Sequence, residues 1–212
     1  HSPETPYLDN RYITEFGNRL LYDETDYNPV ELQEYERFYV SLTTKQQCVY
    51  DTVMNSVEMK KGSVYFVYGY GGTEKTFIWK TLVAGIRRRC DIVLNVASNA
   101  IASLLMSGGR TALPINVDDT SHCFISAQSD SEALLKRCKL IIWDEAPMIN
   151  KLCFEALDRS LRDIPCKNRY DKCERPFGNM TMVFSGDFRQ VLSFIPKGSR
   201  QDIISASLKQ SY

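Results

Sequence analysis

A glycine-rich loop followed by lysine and threonine is the stretch of this sequence best suited to bind phosphate. The stretch GYGGTEKTF covers residues 69–77. Its glycines let backbone N–H groups converge on phosphate oxygens, Lys75 supplies a cation, and the Thr76 hydroxyl can bind Mg²⁺. The pattern G-x-x-x-x-G-K-[ST] requires glycine directly before the lysine, where this chain has Glu74. A simple glycine turn is the alternative, but the Lys-Thr pair between an apparent strand and a helix favours phosphate binding.

A pair of acids ends the apolar run LIIWDEA, residues 140–146. At the end of a strand, Asp144 can hold Mg²⁺ through water, and Glu145 can polarise an attacking water molecule. Two solvated loop acids are the alternative and are common in isolation. The phosphate loop upstream makes a functional role for this pair the better hypothesis.

Two further candidates are weaker. In FSGDFRQVL, residues 184–192, Asp187 could support the metal shell and Gln190 could hydrogen-bond a γ-phosphate or the attacking water, although an exposed loop explains them equally well. Gln46 precedes the first long helix, and its amide can both donate and accept, so it could bind an adenine edge. Taken alone, a surface glutamine is the simpler interpretation of Gln46.

Strands and helices alternate around these candidates. The predicted strands are residues 63–70, 91–98, 139–146 and 180–187, and the predicted helices are 42–57, 76–89, 99–109, 131–138, 150–164 and 200–210. This alternation predicts an α/β fold with a mostly parallel sheet. The strands are near-continuous apolar runs, as expected when helices cover both faces of the sheet. Ligands bind beyond the carboxyl ends of such strands, which is where the glycine loop, DEA and SGD all fall.

Apolar periodicity predicts the buried side of several helices. The first long helix has a stripe of Val49, Val53 and Val57, with Thr43 or Thr44 as its cap. The predicted inward residues of the next helix are Phe77, Ile78, Leu82, Val83 and Ile86, and those of helix 150–164 are Leu152, Ala156, Leu157 and Leu161. The clusters at Arg87–Arg89 and in LKRCK, residues 135–139, are predicted to be solvated helix ends, where cations are favourable.

Composition limits the other possibilities. The chain has 212 residues and a formal net charge of zero, so nucleic acid could be bound only by a local patch. No run approaches the roughly 18 apolar residues of a membrane span. Seven cysteines without a C-x-x-C pair predict reduced thiols, and only two histidines, His1 and His122, argue against histidine-based metal or triad chemistry. Residues 1–40 are predicted to be an extension, helical from about Pro29, and 41–212 the main domain.

Five motifs in order resemble those of the PIF-one family of helicases, especially the forms carried by Helitron transposons. LTTKQ resembles the Q motif, GYGGTEKTF motif I, VASNAIASLLMSGGRTA motif Ia, IIWDEAPM motif II and FSGDFRQVL motif III. The resemblance runs from about Leu42 to the C-terminus. The stretch LDNRYITEFGNRLLYDETDYN, residues 8–28, also resembles the segment upstream of that domain.

The resemblance implies a RecA-like P-loop NTPase domain of an ATP-dependent DNA helicase that moves 5′ to 3′ on single strands with Mg²⁺. It also implies DNA repair and recombination as the setting, and the nucleus, or alternatively the mitochondrion, as the location. Expected partners are single-stranded DNA or a duplex or fork, with no membrane. By resemblance, Glu145, Lys75 and Gln190 are catalytic, Thr76 and Asp144 bind the metal, and Ser98 and Asn99 lie near the DNA path. The implied nucleotide-binding residues are Gln46, Gly69, Gly71, Gly72, Thr73, Glu74, Lys75, Thr76 and Phe77.

Three positions depart from the family pattern. Glu74 replaces a glycine and brings a carboxylate toward an anion. At 4 Å and an effective dielectric constant of 20, a like-charge pair costs about 4 kcal/mol, roughly a thousandfold in affinity. GGRTALPINV lacks several residues that the family has after GGRTA, including a His-Ser pair, and Ser193 and Phe194 replace a proline and a usually aliphatic residue.

Two alternatives therefore stand beside the helicase interpretation. One is a degenerate, inactive remnant that binds DNA or protein weakly at most. The other, less favoured, is a P-loop ATPase unrelated to DNA. The resemblance covers only the first motor domain, so we expect that hydrolysis requires a second RecA-like domain, which in these helicases supplies an arginine finger.

Overall fold

A parallel five-stranded sheet organises the part of the chain that the computed structural model describes, residues 18–26, 35–69, 75–97, 110–111, 125, 129–164, 175–187 and 201. The strands are β1 (Val64–Tyr68), β2 (Ile92–Ala97), β3 (Arg110–Thr111), β4 (Cys138–Asp144) and β5 (Thr181–Gly186). Their order is β1-β5-β4-β2-β3, and every pair is parallel. The predicted parallel α/β fold is confirmed. The short strand β3 was not predicted.

Six helices accompany this sheet in the described ranges. They are α1 (Arg19–Thr25), α2 (Tyr35–Val40), α3 (Thr44–Glu58), α4 (Lys75–Arg87), α5 (Asp130–Arg137) and α6 (Lys151–Asp163), with short 3-10 turns at Ala146–Met148 and Pro176–Asn179. The predicted helices 99–109 and 200–210 fall outside the described residues, apart from Gln201, which is helical. None of the helices described is long and apolar enough to cross a membrane.

Two apolar cores lie on opposite faces of the sheet. On one face, α3 and α4 pack against Val93, Leu140, Ile142 and Val183. On the other, α1, α5 and α6 pack against the alternate strand residues, which include Leu94, Ile141, Trp143, Met182 and Phe184. Because successive side chains of a strand point to opposite faces, the central strands need apolar residues at almost every position. The predicted covering of both faces is therefore confirmed for the central strands.

The start of α3 follows the local sequence closely. Thr43 is its N-cap, and Thr43 and Gln46 form a reciprocal capping box in which each side chain bonds the other residue's backbone N–H. The predicted stripe is also confirmed, with Val53 and Val57 buried and Val49 packed against the same core.

The N-terminal region contributes more to the core than the sequence suggested. Helix α1 begins ten residues before Pro29, where helix was expected to start, and its Leu21 is buried with Ile92, Leu94 and Leu134. The Asn18 side-chain amide also donates to the Asp130 carbonyl, 2.9 Å away, at the start of α5. The prediction of a solvated end at Arg87 was wrong, because Arg87 is buried and lies 3.9 Å from the α1 carboxylate of Glu24.

Two predictions of burial need correction. β1 does not have both faces covered by described residues, because Val64, Phe66 and Tyr68 are 44%, 38% and 48% exposed. The reason is that β1 lies at the edge of the described sheet, whereas α6 packs against β4 and β5 on that face. In α6, Leu152 and Leu157 are only partly buried, whereas Phe154 is buried against Trp143 and Phe184.

Candidate nucleotide-binding site

The carboxyl ends of β1, β4 and β5 form one edge of the sheet. Tyr68 at the end of β1 pairs in register with Gly186 at the end of β5, and β4 beside them ends at Asp144. The glycine loop begins at Gly69, and α4 begins at Lys75. This parallel topology brings the three sequence motifs to one edge, as the strand pattern predicted.

Lys75 is the first residue of α4 and is buried, with 7% of its surface exposed. Its ammonium group donates to the Gly69 carbonyl at 3.1 Å and lies 3.6 Å from Oε1 of Glu145. Lys75 and Glu145 are therefore close together, as required if both act on the same triphosphate. The carbonyl and carboxylate are acceptors whose places phosphate oxygens could take.

Asp144 is buried at the end of β4 and accepts a hydrogen bond from the Ser185 hydroxyl of β5. Glu145 follows in a left-handed backbone conformation, with φ 53° and ψ 39°. A non-glycine residue in that conformation stores strain, which clusters at functional sites. The turn separates the two acids, so that Glu145 points to Lys75 while Asp144 is held by Ser185.

Gly186 allows the end of β5 to approach this turn. Its φ is 149°, and a Cβ added there would overlap the Pro147 ring of the Ala146–Met148 turn. Glycine is therefore required both by its backbone conformation and by the lack of space. The SGD motif thus contributes the Ser185 hydroxyl and a glycine that lets the backbone of β5 lie close to Pro147.

Asp187, the next residue, is buried with 3% of its surface exposed. Its Oδ1 accepts a hydrogen bond from the Tyr68 hydroxyl at 3.2 Å, across the β1–β5 pair. This bond joins the residue that precedes the glycine loop to the acid that ends SGD. A role for Asp187 in supporting the metal shell stays a prediction.

Gln46 and Phe77 have structural contacts of their own. The Gln46 side-chain oxygen accepts from the Thr43 N–H at 2.7 Å and from the Thr43 hydroxyl at 2.9 Å, so it serves the cap of α3. Phe77, in the first turn of α4, makes an edge-to-face contact with Phe38 of α2, with centroids 5.6 Å apart. Nucleotide contacts of either residue stay predictions.

Several predicted site residues fall outside the described residues. They are Gly71, Gly72, Thr73, Glu74, Gln190, Ser98 and Asn99. The residues that the structure does bring to one edge are Gly69, Lys75, Asp144, Glu145 and Asp187, with Thr76 following Lys75 in α4.

The donor set suits Mg²⁺ carried by a nucleotide. No group of three or more His, Cys, Asp or Glu residues that could hold a metal occurs in the described part of the chain. Mg²⁺ does not need such a cage, because it typically keeps several waters and takes one or two carboxylates together with substrate phosphates. The buried Asp144 carboxylate and the Thr76 hydroxyl provide oxygen donors of that kind.

Sequence reasoning missed Ser185, Gly186 and Tyr68 as parts of this site. Their only local signal is their position at the ends of predicted strands. Ser185 and Gly186 act on residues about forty positions earlier in the chain, and Tyr68 bonds a residue of the distant strand β5. Only the strand order and register bring these residues together.

Comparisons with known proteins show similarity to PIF1-like helicases. The family model described as PIF1-like helicase matches residues 41–212. ATP-dependent DNA helicase PIF4 of Trypanosoma brucei brucei is 26% identical over 149 residues, which is 66% of this chain and 18% of that protein. PIF7 of the same organism is 24% identical over 159 residues, covering 71% of this chain and 15% of that protein.

Solved structures of Pif1 helicases also resemble this chain. The Pif1 helicase from Bacteroides in complex with ADP-AlF3 and ssDNA superposes with a TM-score of 0.58 at 25% identity, covering 77% of this chain and 36% of that one. Pif1 from Candida albicans gives a TM-score of 0.54 at 23% identity, covering 80% and 36%. The present chain thus spans about a third of the solved relatives and less than a fifth of the curated ones.

Proposed function

Since the chain belongs to the PIF1-like helicase family, we propose that it is the first RecA-like motor domain of an ATP-dependent DNA helicase. The observation that carries the proposal is the 3.6 Å approach of the Lys75 ammonium to Glu145, beside the buried Asp144. Relatives named as ATP-dependent DNA helicases, and one solved with ADP-AlF3 and ssDNA, support the same substrates for this chain. Movement 5′ to 3′ on single strands is part of the proposal and rests on the family resemblance.

Lys75 has two states in this proposal. Without nucleotide its ammonium is shared by the Gly69 carbonyl and Glu145. The outer phosphates carry more negative charge than a single carboxylate and would draw the ammonium away. Nucleotide binding would then release Glu145 from its ion pair and leave its carboxylate available to orient the attacking water.

Asp144 and Thr76 are the residues that would hold Mg²⁺. The ion, when bound with ATP, neutralises charge that develops on the phosphates. Ser185 keeps the Asp144 carboxylate in one orientation through a buried hydrogen bond, so the acid needs little rearrangement when the nucleotide arrives. Gln190 is the proposed γ-phosphate sensor, on the strength of the motif alone.

Translocation requires partners beyond this domain. Hydrolysis between two RecA-like domains would require the second domain, which we propose as an intramolecular partner. Single-stranded DNA and forked duplexes are the proposed substrates, supported by relatives solved with ssDNA and at forked DNA. Nuclear or mitochondrial location and a role in DNA repair and recombination stay predictions from the resemblance.

The test is Mg·ATP binding, measured by anisotropy of a fluorescent ATP analogue. Restoring the loop glycine with Glu74→Gly should give binding that Lys75→Ala abolishes in the same background. Lys80→Ala is the matched control, because Lys80 is an exposed lysine of the same helix α4. Failure of the Glu74→Gly protein to bind Mg·ATP would contradict the proposal.

Turnover distinguishes the alternatives. ATP hydrolysis by the unmodified chain that Lys75→Ala removes would exclude an inactive remnant. Stimulation of that hydrolysis by oligothymidylate would exclude an ATPase unrelated to DNA.

A further inference from the structure

A cavity of about 240 Å³ lies at the edge of the sheet opposite the candidate nucleotide site. It opens beside Cys138 and Thr181, the first residues of β4 and β5, whereas Asp144 and Ser185 are near the other ends of those strands. At about 3.3 Å per residue, a strand the length of β4 separates the two places by about 20 Å. The cavity is therefore separate from the nucleotide site.

The interior of the cavity is mostly apolar and the rim is cationic. The apolar lining residues are Val57, Leu135, Leu161, Ile164, Phe177 and Met180, and the lysines are Lys60, Lys136 and Lys139. No Asp or Glu is among the described residues that line it. The Cys138 thiol is also uncharged at neutral pH, since burial raises its pKa to about 12.

Two of the three lysines form no ion pair with any described residue. Lys136 is in the last turn of α5, where a cation is favourable, and its ammonium lies 2.7 Å from Glu132. Lys60 follows the end of α3 and Lys139 is in β4. Neither forms an ion pair with an acid of the chain portion that is described.

The backbone around the cavity is held in place by specific bonds. The Asn179 amide donates to the Lys60 carbonyl at 3.3 Å, and Arg175 donates to the Lys61 carbonyl and to Asn179 Oδ1. The Phe177 N–H donates to the buried carboxylate of Asp158, which keeps this left-handed stretch of backbone in place. The cavity wall is thus pre-organised rather than formed by loose side chains.

We propose that this cavity is a docking site for an acidic peptide that inserts one apolar side chain between Lys60 and Lys139. The volume is below the roughly 300–1,000 Å³ of sites that enclose whole small molecules, and suits a single side chain. An apolar anchor in a pocket, surrounded by complementary charge, is the usual organisation of a peptide-binding hot spot. Single-stranded nucleic acid is bound instead by basic grooves with exposed aromatic platforms. Among the described residues that line this cavity, none is an exposed aromatic.

The experiment measures fluorescence anisotropy of a ten-residue fluorescein-labelled peptide of Glu and Asp with one central leucine. We expect a dissociation constant on the order of 10–100 µM at low salt. Lys60→Glu combined with Lys139→Glu should weaken binding at least tenfold. The matched control is Lys45→Glu combined with Lys80→Glu, which reverses two exposed lysines elsewhere and should change binding less than twofold. Circular dichroism verifies that both proteins are folded.

The apolar anchor is tested on the peptide itself, where leucine to serine should weaken binding at least fivefold. Three results would overturn the proposal: no binding up to 1 mM peptide, equal loss in the two lysine variants, or equal binding of the serine peptide. Competition by oligothymidylate of the same charge, as effective as by unlabelled peptide, would also reject it in favour of a general polyanion surface. None of these readouts requires ATP, so this proposal and the helicase proposal can fail independently.

Discussion

The Ser185 hydroxyl donates a buried hydrogen bond to Oδ1 of Asp144, joining the ends of β4 and β5 at the candidate nucleotide site. The two strands are already paired through their backbones. The side-chain bond adds orientation, because it limits rotation of the carboxylate that would face Mg²⁺.

Ser185→Ala should destabilise the protein by about 1.5–3 kcal/mol, because a hydrogen bond to a buried carboxylate is lost. The free energy of unfolding in urea measures this. Ser56→Ala is the matched control: Ser56 is also buried, but the one described side chain that its hydroxyl contacts is the neutral Thr181 hydroxyl, at 3.4 Å. We expect the control to cost less than about 1 kcal/mol. Equal losses of unfolding free energy in the two variants would show that the hydrogen bond to Asp144 stabilises the protein no more than a bond between neutral hydroxyls does.

Gly186→Ala should destabilise the protein by about 1–3 kcal/mol or more, since the added methyl group overlaps Pro147 and the backbone φ is positive. Thermal and urea unfolding measure the effect. Adding Pro147→Ala should recover part of the loss by removing the overlap, while the backbone strain persists. A change within 0.5 kcal/mol, as at ordinary surface positions, would refute the close approach.

Leu21→Ala tests whether α1 is part of the folded domain. Leu21 is 6% exposed and packs with Ile92, Leu94 and Leu134, so truncation should cost about 2–5 kcal/mol of unfolding free energy. Val40→Ala is the control, because Val40 is 78% exposed in the neighbouring helix α2. A loss for Leu21→Ala no larger than for Val40→Ala would mean that α1 does not contribute to the core.

Because the Cys138 thiol is buried, we expect the free energy of unfolding to fall at alkaline pH. Burial raises the pKa of its thiol from 9.0 to about 12, so the folded state keeps its proton where the unfolded state would lose it. The stability that this provides is fully present below pH 9 and is lost as pH rises toward 12. At pH 10 the loss relative to neutral pH is on the order of 1 kcal/mol.

Urea unfolding at pH 7 and at pH 10 gives the free energy of unfolding at each pH, and the difference between the two values measures the loss. Cys138→Ala should lose less stability between the two pH values than the unsubstituted protein does. Cys48→Ala should lose as much as the unsubstituted protein, because Cys48 is exposed. If Cys138→Ala showed the same loss as the unsubstituted protein, the buried thiol would not be the source.

The local sequence was a reliable guide wherever a feature depends on neighbours in the chain. The Thr43 cap and the Val53 and Val57 stripe of α3 lie within fifteen residues of one another, and a helix brings such residues together by its own geometry. The glycine loop between a strand and a helix, with Lys75 at its end, was predictable for the same reason. Periodicity was a weaker guide in α6. The predicted Ala156 and Leu161 are buried, but Leu152 is only partly buried and Phe154 is buried instead, because the neighbouring aromatic rings determine which side chain is enclosed.

Thus the sequence alone determined the α/β class, the parallel sheet and the edge at which Lys75 and the acids lie, because element order and strand direction follow from local patterns. The tertiary structure alone decided that α1 completes one core, that β1 is half exposed, that Ser185 and Tyr68 hydrogen-bond the acids, and that Gly186 lies against Pro147. These features depend on strand order and register, which bring together residues more than a hundred positions apart in the case of Tyr68 and Asp187. No local pattern encodes such a pairing, because its free energy arises only when the whole sheet is formed.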